Sequence, residues 1–232
     1  MDEQAKMAPG PLIQVDNVHK SFLMGKEAVQ ALRGVTLEVL PGEIICLMGP
    51  SGSGKTTLLN IVGGLEEPSR GHVIVDGENV VALSEDKLSE MRLTRMGFVF
   101  QSYNLLANFT ALENVEVPMA LAGLGRRERR RRVEQLLQSV GLADRARHYP
   151  SELSGGQQQR VAIARALAND PPILIGDEIT GDLDSETGFE VMEVVARLNR
   201  ERGTTVVYVT HDPRMAKFAH RVIQLRDGRI VD

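Results

Sequence analysis

The sequence predicts an α/β fold built on a largely parallel sheet, with an antiparallel β portion and a helical insert. Three observations carry that expectation. Short β-branched and apolar runs alternate with stretches of helical periodicity, which is the pattern of a parallel sheet covered by helices. Turn dipeptides, Asp76-Gly77 and Asp227-Gly228, fall where tight hairpins form. Between Gln101 and Asp170 the period becomes helical throughout, and no convincing strand interrupts it.

The elements follow in order. Strands are expected at 12–18, 35–39, 44–48, 73–75, 97–100, 173–175, 205–209 and 222–225, each a short apolar or β-branched run. Pro41-Gly42 turns the chain into the third of them, and the two Asp-Gly turns predict that the early and final strands pair antiparallel. In the helical insert, Thr110-Ala111-Leu112-Glu113 is a capping box that opens one helix. A second helix is expected over 127–140 and a third over 157–168. One domain spanning 1–232 results, divided into a core from 11–100 and 171–232 and a helical part from 101–170. The chain carries no internal repeat, low-complexity tract or long linker.

Composition narrows the function classes. A hydrophobic content of 42% over 232 residues is ample for a core. With 27 basic and 31 acidic residues, net charge -4, no overall positive field invites nucleic acid, and no nucleic-acid partner is expected. The single cysteine, Cys46, lies in the apolar run 44–48 and reads as a buried thiol in a reducing compartment. Residues 1–6 show no signal-peptide pattern, and no stretch approaches the roughly 18 apolar residues that span a bilayer. A membrane role therefore needs a partner.

The strongest chemical motif is Gly49-Pro50-Ser51-Gly52-Ser53-Gly54-Lys55-Thr56, a phosphate-binding P-loop between a buried strand and a helix. Its glycines let backbone amides approach phosphate oxygens, and the helix start stabilises their charge. Lys55 is expected to reach the terminal phosphates and Thr56 to offer its hydroxyl to Mg²⁺; the nucleotide-binding stretch runs on to Thr57. The second motif, Ile173-Leu174-Ile175-Gly176-Asp177-Glu178, is an apolar strand ending in two acids at the sheet edge where phosphates sit. Asp177 is the expected metal-side acid, and Glu178 the residue that polarises water for attack on the γ-phosphate of ATP. Together these motifs define a P-loop NTPase.

Leu153-Ser154-Gly155-Gly156-Gln157 followed by Gln158-Gln159-Arg160 resembles the signature motif of the ATP-binding cassette (ABC) family. Ser-Gly-Gly at a helix start, with no lysine, suits an anion site completed by another surface. The resemblance implies a homodimer in the ATP-bound state, in which Ser154, Gly155, Gly156 and Gln157 face the nucleotide held by the other protomer. It also implies that Gln101 senses Mg²⁺ and the membrane partner, that Asp184, closing the loop Gly181-Asp182-Leu183-Asp184, belongs to the ATP-binding set, and that His211 contacts the γ-phosphate beside the attacking water. Phe22 resembles the aromatic that stacks on adenine, where the family more often has tyrosine. Ile179 is another departure, standing where the family usually carries proline. Histidines 19, 72, 148 and 220 lack motifs and read as surface or core residues.

The resemblance covers nearly the whole chain. Phe98-Val99-Phe100-Gln101-Ser102-Tyr103-Asn104-Leu105, Thr110-Ala111-Leu112-Glu113-Asn114-Val115 and Asp184-Ser185-Glu186-Thr187-Gly188 are similar to ATPases serving macrolide-exporter, lipoprotein-releasing and cell-division permeases. The implied function is an ATP-hydrolysing subunit that drives a separate integral membrane permease from the inner face of the cell membrane, with no regulatory domain appended after Asp232. The alternative is a nucleotide-gated signalling or structural module that regulates a membrane partner without transport. A soluble cassette acting on ribosomes or DNA fits less well, because the chain has one P-loop and no heptad run. The signature and Glu178 argue against a small-molecule kinase. Arg126 to Arg132 contains six arginines at a helix start, where they oppose the helix dipole. That run reads either as a surface for an anionic lipid or permease loop or as a solvated helix face.

Overall fold

Two sheets organise the chain. The computed structural model describes residues 10–25 and 27–231; the readings made on residues 1–6 and Asp232 lie outside it. β1 (Ile13–Met24), β2 (Glu27–Val39), β4 (Arg70–Val75) and β5 (Glu78–Asn79) form an antiparallel sheet in the order β2-β1-β4-β5. β3 (Ile44–Met48), β6 (Met96–Phe100), β7 (Ile173–Asp177), β8 (Thr205–Val209), β9 (Arg221–Arg226) and β10 (Arg229–Val231) form the second sheet in the order β10-β9-β3-β8-β7-β6. All its neighbours run parallel except the β9–β10 edge.

The period-two alternation of the parallel strands explains how one sheet serves two cores. Ile45, Leu47, Ile173, Ile175, Val207 and Val209 point to one face, where they pack with the antiparallel sheet and with α1 (Lys55–Val62) and α2 (Glu85–Thr94). Ile44, Cys46, Leu174, Val206 and Tyr208 point to the other, against α3 (Ala111–Leu121), α4 (Arg126–Ser139), α5 (Gly155–Ala166) and α6 (Ser185–Arg202). Cys46 is fully buried, and burial pushes its thiol up to about 11, so it is an inert core group. His220 is also structural, its Nδ1 accepting the Ile44 N–H at 2.9 Å.

Both Asp-Gly turns close hairpins. Asp76 and Gly77 have φ 49° and 80°, and Asp227 and Gly228 have 48° and 77°, the left-handed pair that a type I′ turn requires. The capping box at Thr110 is present, with Thr110 Oγ1 accepting from the Glu113 N–H and Glu113 Oε2 from the Thr110 N–H.

Several boundaries differ from the sequence expectation. The run at 35–39 is only the end of the 13-residue β2, whose first four residues are exposed and lack the apolar signal. β1 likewise continues past Val18, through register shifts that absorb Asn17 at φ 46°. The third helix begins at Gly155 rather than 157 and ends at Ala166, because Ser154 supplies the cap that a glycine pair lacks. The arginine run is largely paired within the chain: Arg129 bridges Glu116, Arg130 bridges Glu134, Arg131 and Arg132 bridge Glu128, and Arg132 also reaches Asp170. Glutamates at i+3 and i+4 positions and on α3 thus take up charge that the sequence alone offers to an external anion.

Candidate active site

The site lies along one row of the parallel sheet. Register pairs Leu47 with Val209, Val209 with Asp177, and Asp177 with Phe100, so four strands reach the same level side by side. Each then releases a loop: the P-loop after β3, Glu178 after β7, Thr210 and His211 after β8, and Gln101 after β6. Ligands of open parallel sheets bind outside these carboxyl ends.

The P-loop is shaped by close approach. A Cβ on Gly49 (φ 148°) would run into the Leu225 carbonyl, and one on Gly54 (φ 102°) would meet the Ala31 carbonyl at 2.5 Å. Only glycine fits at either position. At Gly52, by contrast, a Cβ would meet nothing within 4 Å, so the loop crest faces open space. Lys55 is buried, its Nζ donating to the carbonyls of Gly49 at 2.8 Å and Pro50 at 2.9 Å. Ser53 is 2% exposed and its hydroxyl has no partner. An orphaned hydroxyl and a folded-back ammonium in a glycine cradle at a helix start fit a polyphosphate.

Thr56 Oγ1 donates to Asp177 Oδ1 at 3.1 Å, which places one hydroxyl and one carboxylate together. Burial holds the Asp177 carboxyl above its usual range; the Glu178 charge pushes the same way, while the Thr56 hydrogen bond and Lys55 oppose it. A carboxylate so short of positive charge suits a divalent cation. Among the described residues no group of three or more His, Cys, Asp or Glu could hold a metal alone. Such a pair fits Mg²⁺, which takes one or two carboxylates and fills its other positions with phosphate and water.

Glu178 sits at φ 49°, a strained conformation for a side chain with a Cβ, costing about 1–3 kcal/mol. Its N–H donates to the Val209 carbonyl at 3.2 Å, and its carbonyl accepts from Gly181 at 2.9 Å. The turn aims Oε2 at His211 Nδ1, 3.2 Å away. Ile179 meets the departure from proline by packing its side chain, 2% exposed, over Gly176, where a Cβ would collide with it.

Gln101 Nε2 donates to Asp182 Oδ1 at 2.6 Å. Asp182 was visible in Gly181-Asp-Leu-Asp184, yet nothing in the sequence links it to a glutamine 81 residues away. Asp184 is the N-cap of α6, accepting from the Glu186 and Thr187 amides, and the Thr187 hydroxyl holds its carboxyl below the usual range. Phe22 is 38% exposed on the β1–β2 ribbon, with Lys20 Nζ 5.0 Å from its ring centroid.

The signature residues stand apart from this edge. Ser154 Oγ accepts from the Gln157 N–H at 3.3 Å, and Gln157 Oε1 from the Ser154 N–H at 3.0 Å, a closed capping box. The Gly155 and Gly156 amides lie in the first turn, where no intrahelical partner exists. Gly155 lies against the Tyr103 hydroxyl and Gly156 is buried against Thr187. Among the described residues, no hydrogen bond joins 154–157 to the P-loop.

The sequence profile of the family described as "ABC transporter" matches residues 32–181. The chain belongs to the ABC transporter family. It is 51% identical to an uncharacterised ABC transporter ATP-binding protein of Thermotoga maritima, over 94% of this chain and 93% of that one. It is also 49% identical to the macrolide export ATP-binding/permease protein MacB of Marinobacter nauticus, over 97% of this chain and 35% of that protein, so it spans about a third of the MacB length. Among solved structures it is similar to the dimeric ATP-binding cassette MJ0796 bound to ADP and Pi, with TM-score 0.87 and 46% identity over 95% of this chain and 97% of that one. The cbiO1 cassette of Clostridium perfringens, part of the cbiONQ complex, gives TM-score 0.87 at 27% identity, over 97% of this chain and 88% of that one. This ABC chain is accordingly an ATP-binding subunit and an ATPase using Mg²⁺, on a P-loop α/β fold. No helix among its described residues is long and apolar enough to cross a membrane.

Proposed function

We propose that two copies of this chain close around two MgATP and that closure and hydrolysis drive a separate membrane permease, to which the chain is bound at the inner face of the membrane. One observation carries the reading. The Ser154 cap is an exposed, lysine-free helix start whose hydrogen bonds stay within its own turn, while the P-loop crest at Gly52 faces open space. A second copy supplies what each site lacks. In this reading 11–100 and 171–232 are the nucleotide-binding core, and 101–170 carries the signature to the partner.

The residues divide the work. Lys55 turns from the Gly49 and Pro50 carbonyls to the phosphates, and Ser53 gains a partner for its hydroxyl. Thr56 and Asp177, with Gln101 once freed from Asp182, would hold Mg²⁺, which when bound would neutralise charge on the phosphates. Glu178 accepts a hydrogen bond from the attacking water and polarises it, and His211 keeps that water against the γ-phosphate. Phe22 stacks on the adenine with its open ring face. Asp184 fixes the start of α6 and thereby the shape of the loop offered to the partner.

Replacing Ser154 with Arg should abolish dimer closure and turnover while leaving ATP affinity of the monomer within about twofold, since the P-loop is untouched. Titration of a fluorescent ATP analogue beside a turnover assay checks this, and an equal loss of monomer binding overturns the reading. Gly156 is not an equivalent probe, because a Cβ there would strike the Thr187 methyl and force that side chain to move.

The permease partner is supported by the MacB relatives, whose names join ATP-binding and permease functions in one protein. An apolar groove lined by Leu93, Met96, Phe98, Phe100 and Leu121 adjoins Gln101 and offers a permease loop a seat. Co-expression with a candidate permease related to the membrane part of MacB should carry the chain into the membrane fraction. Recovery in the soluble fraction alone overturns that assignment.

A further inference from the structure

Gln159 lies on the signature helix, α5. It is fully buried on α5, one turn beyond the Ser154 cap. Its Nε2 donates to two backbone carbonyls at once, those of Phe100 at 3.4 Å and of Ile179. Those carbonyls flank two chemical positions of the site: Phe100 precedes Gln101, and Ile179 follows Glu178. Its Oε1 has no partner. The amide orientation is dictated, since turning it would set Oε1 against two carbonyl oxygens. A buried side chain that leaves its own acceptor unsatisfied in order to join two loops is holding a geometry rather than filling space.

The geometry it holds is a strained one. Glu178 keeps φ 49° only because its neighbours over-determine the turn: the Val209 carbonyl takes its N–H, Ile179 locks over Gly176, and Gln159 anchors the Ile179 carbonyl. The same helix grips the loop after Gln101 a second time, through Arg165 donating to the Tyr103 carbonyl at 2.8 Å. We propose that Gln159 is a positioning residue that fixes Glu178 and the root of Gln101 relative to the signature helix, so that displacement of α5 is passed directly to the residue that polarises water. This rests on the assignment of that role to Glu178.

Gln159→Met keeps the length and removes the donor. The ATPase should then lose roughly 10- to 100-fold in kcat, the scale for a catalytic group misplaced by about 1 Å, with KM for ATP and equilibrium ATP binding unchanged. Should that variant not fold, Gln159→Asn keeps an amide but is too short to reach both carbonyls, and the same split between kcat and affinity is expected. Placed in a Glu178→Gln background, Gln159→Met should lose far less than it does alone, because most of its effect runs through Glu178. A wild-type kcat in either folded variant overturns the proposal, as does a full additional loss in the double variant. A fully active Glu178→Gln single variant would instead remove the assignment of Glu178 itself, whichever result Gln159 gives.

Discussion

Glu178→Gln is expected to lower ATP turnover roughly 10²- to 10⁴-fold, the range for losing a general base, while MgATP still binds. The substitution keeps the side chain's size and its strained place in the turn, so the fold and the P-loop stay intact. It removes the negative charge that faces His211 Nδ1 at 3.2 Å and that the proposed mechanism uses to polarise water. With two uncleaved nucleotides each bridging two copies, mass action then favours the closed dimer. Light scattering with MgATP should find a stable dimer for this variant and mainly monomer or transient dimer for the wild type. Asp177→Asn should behave differently, since Asp177 is the carboxylate beside Thr56 and its loss weakens Mg²⁺ binding and closure itself. A Glu178→Gln chain that binds ATP tightly yet stays monomeric would sink the nucleotide-sandwich mechanism.

Lys55→Ala should weaken ATP binding by roughly 10²-fold, as expected when a charged donor to phosphate is lost. The fold should survive, because Lys55 is held by the loop's own Gly49 and Pro50 carbonyls and takes no part in the apolar clusters. Isothermal titration with MgATP and a thermal melt of the apo chain separate the two effects. An affinity equal to the wild type would remove Lys55 from the site, whereas a melting temperature lowered by more than about 5 °C would show a structural role instead.

Local chemistry made the sheet class, both Asp-Gly hairpins, the P-loop, the Asp177-Glu178 strand end and the Thr110 capping box legible in the sequence. Each is written in consecutive residues whose backbone needs, whether a positive φ, a cap or an apolar period, are met within a few positions. The long β1–β2 ribbon was only half legible, because its outer residues are exposed and alternation there carries no apolar signal. The two edge strands β5 and β10 were too short to register. The α6 helix followed the Asp184 cap unannounced by any motif of its own.

Other features depend on residues far apart in the chain. Register across β3, β8, β7 and β6 is what brings Lys55, His211, Glu178 and Gln101 to one edge. Arg129 and Arg132 find Glu116 and Asp170 only once α3, α4 and the segment before β7 pack together, which gives these members of the run partners within the chain. The Gln101–Asp182 contact and the reach of Gln159 to Phe100 and Ile179 likewise join segments separated by 81, 59 and 20 residues. The sequence by itself determined which groups can do phosphate chemistry, because that depends on residue type and local backbone. Only the tertiary structure decided which of them are held, paired or left free, because a buried hydrogen bond or ion pair exists only where packing brings its two partners within reach.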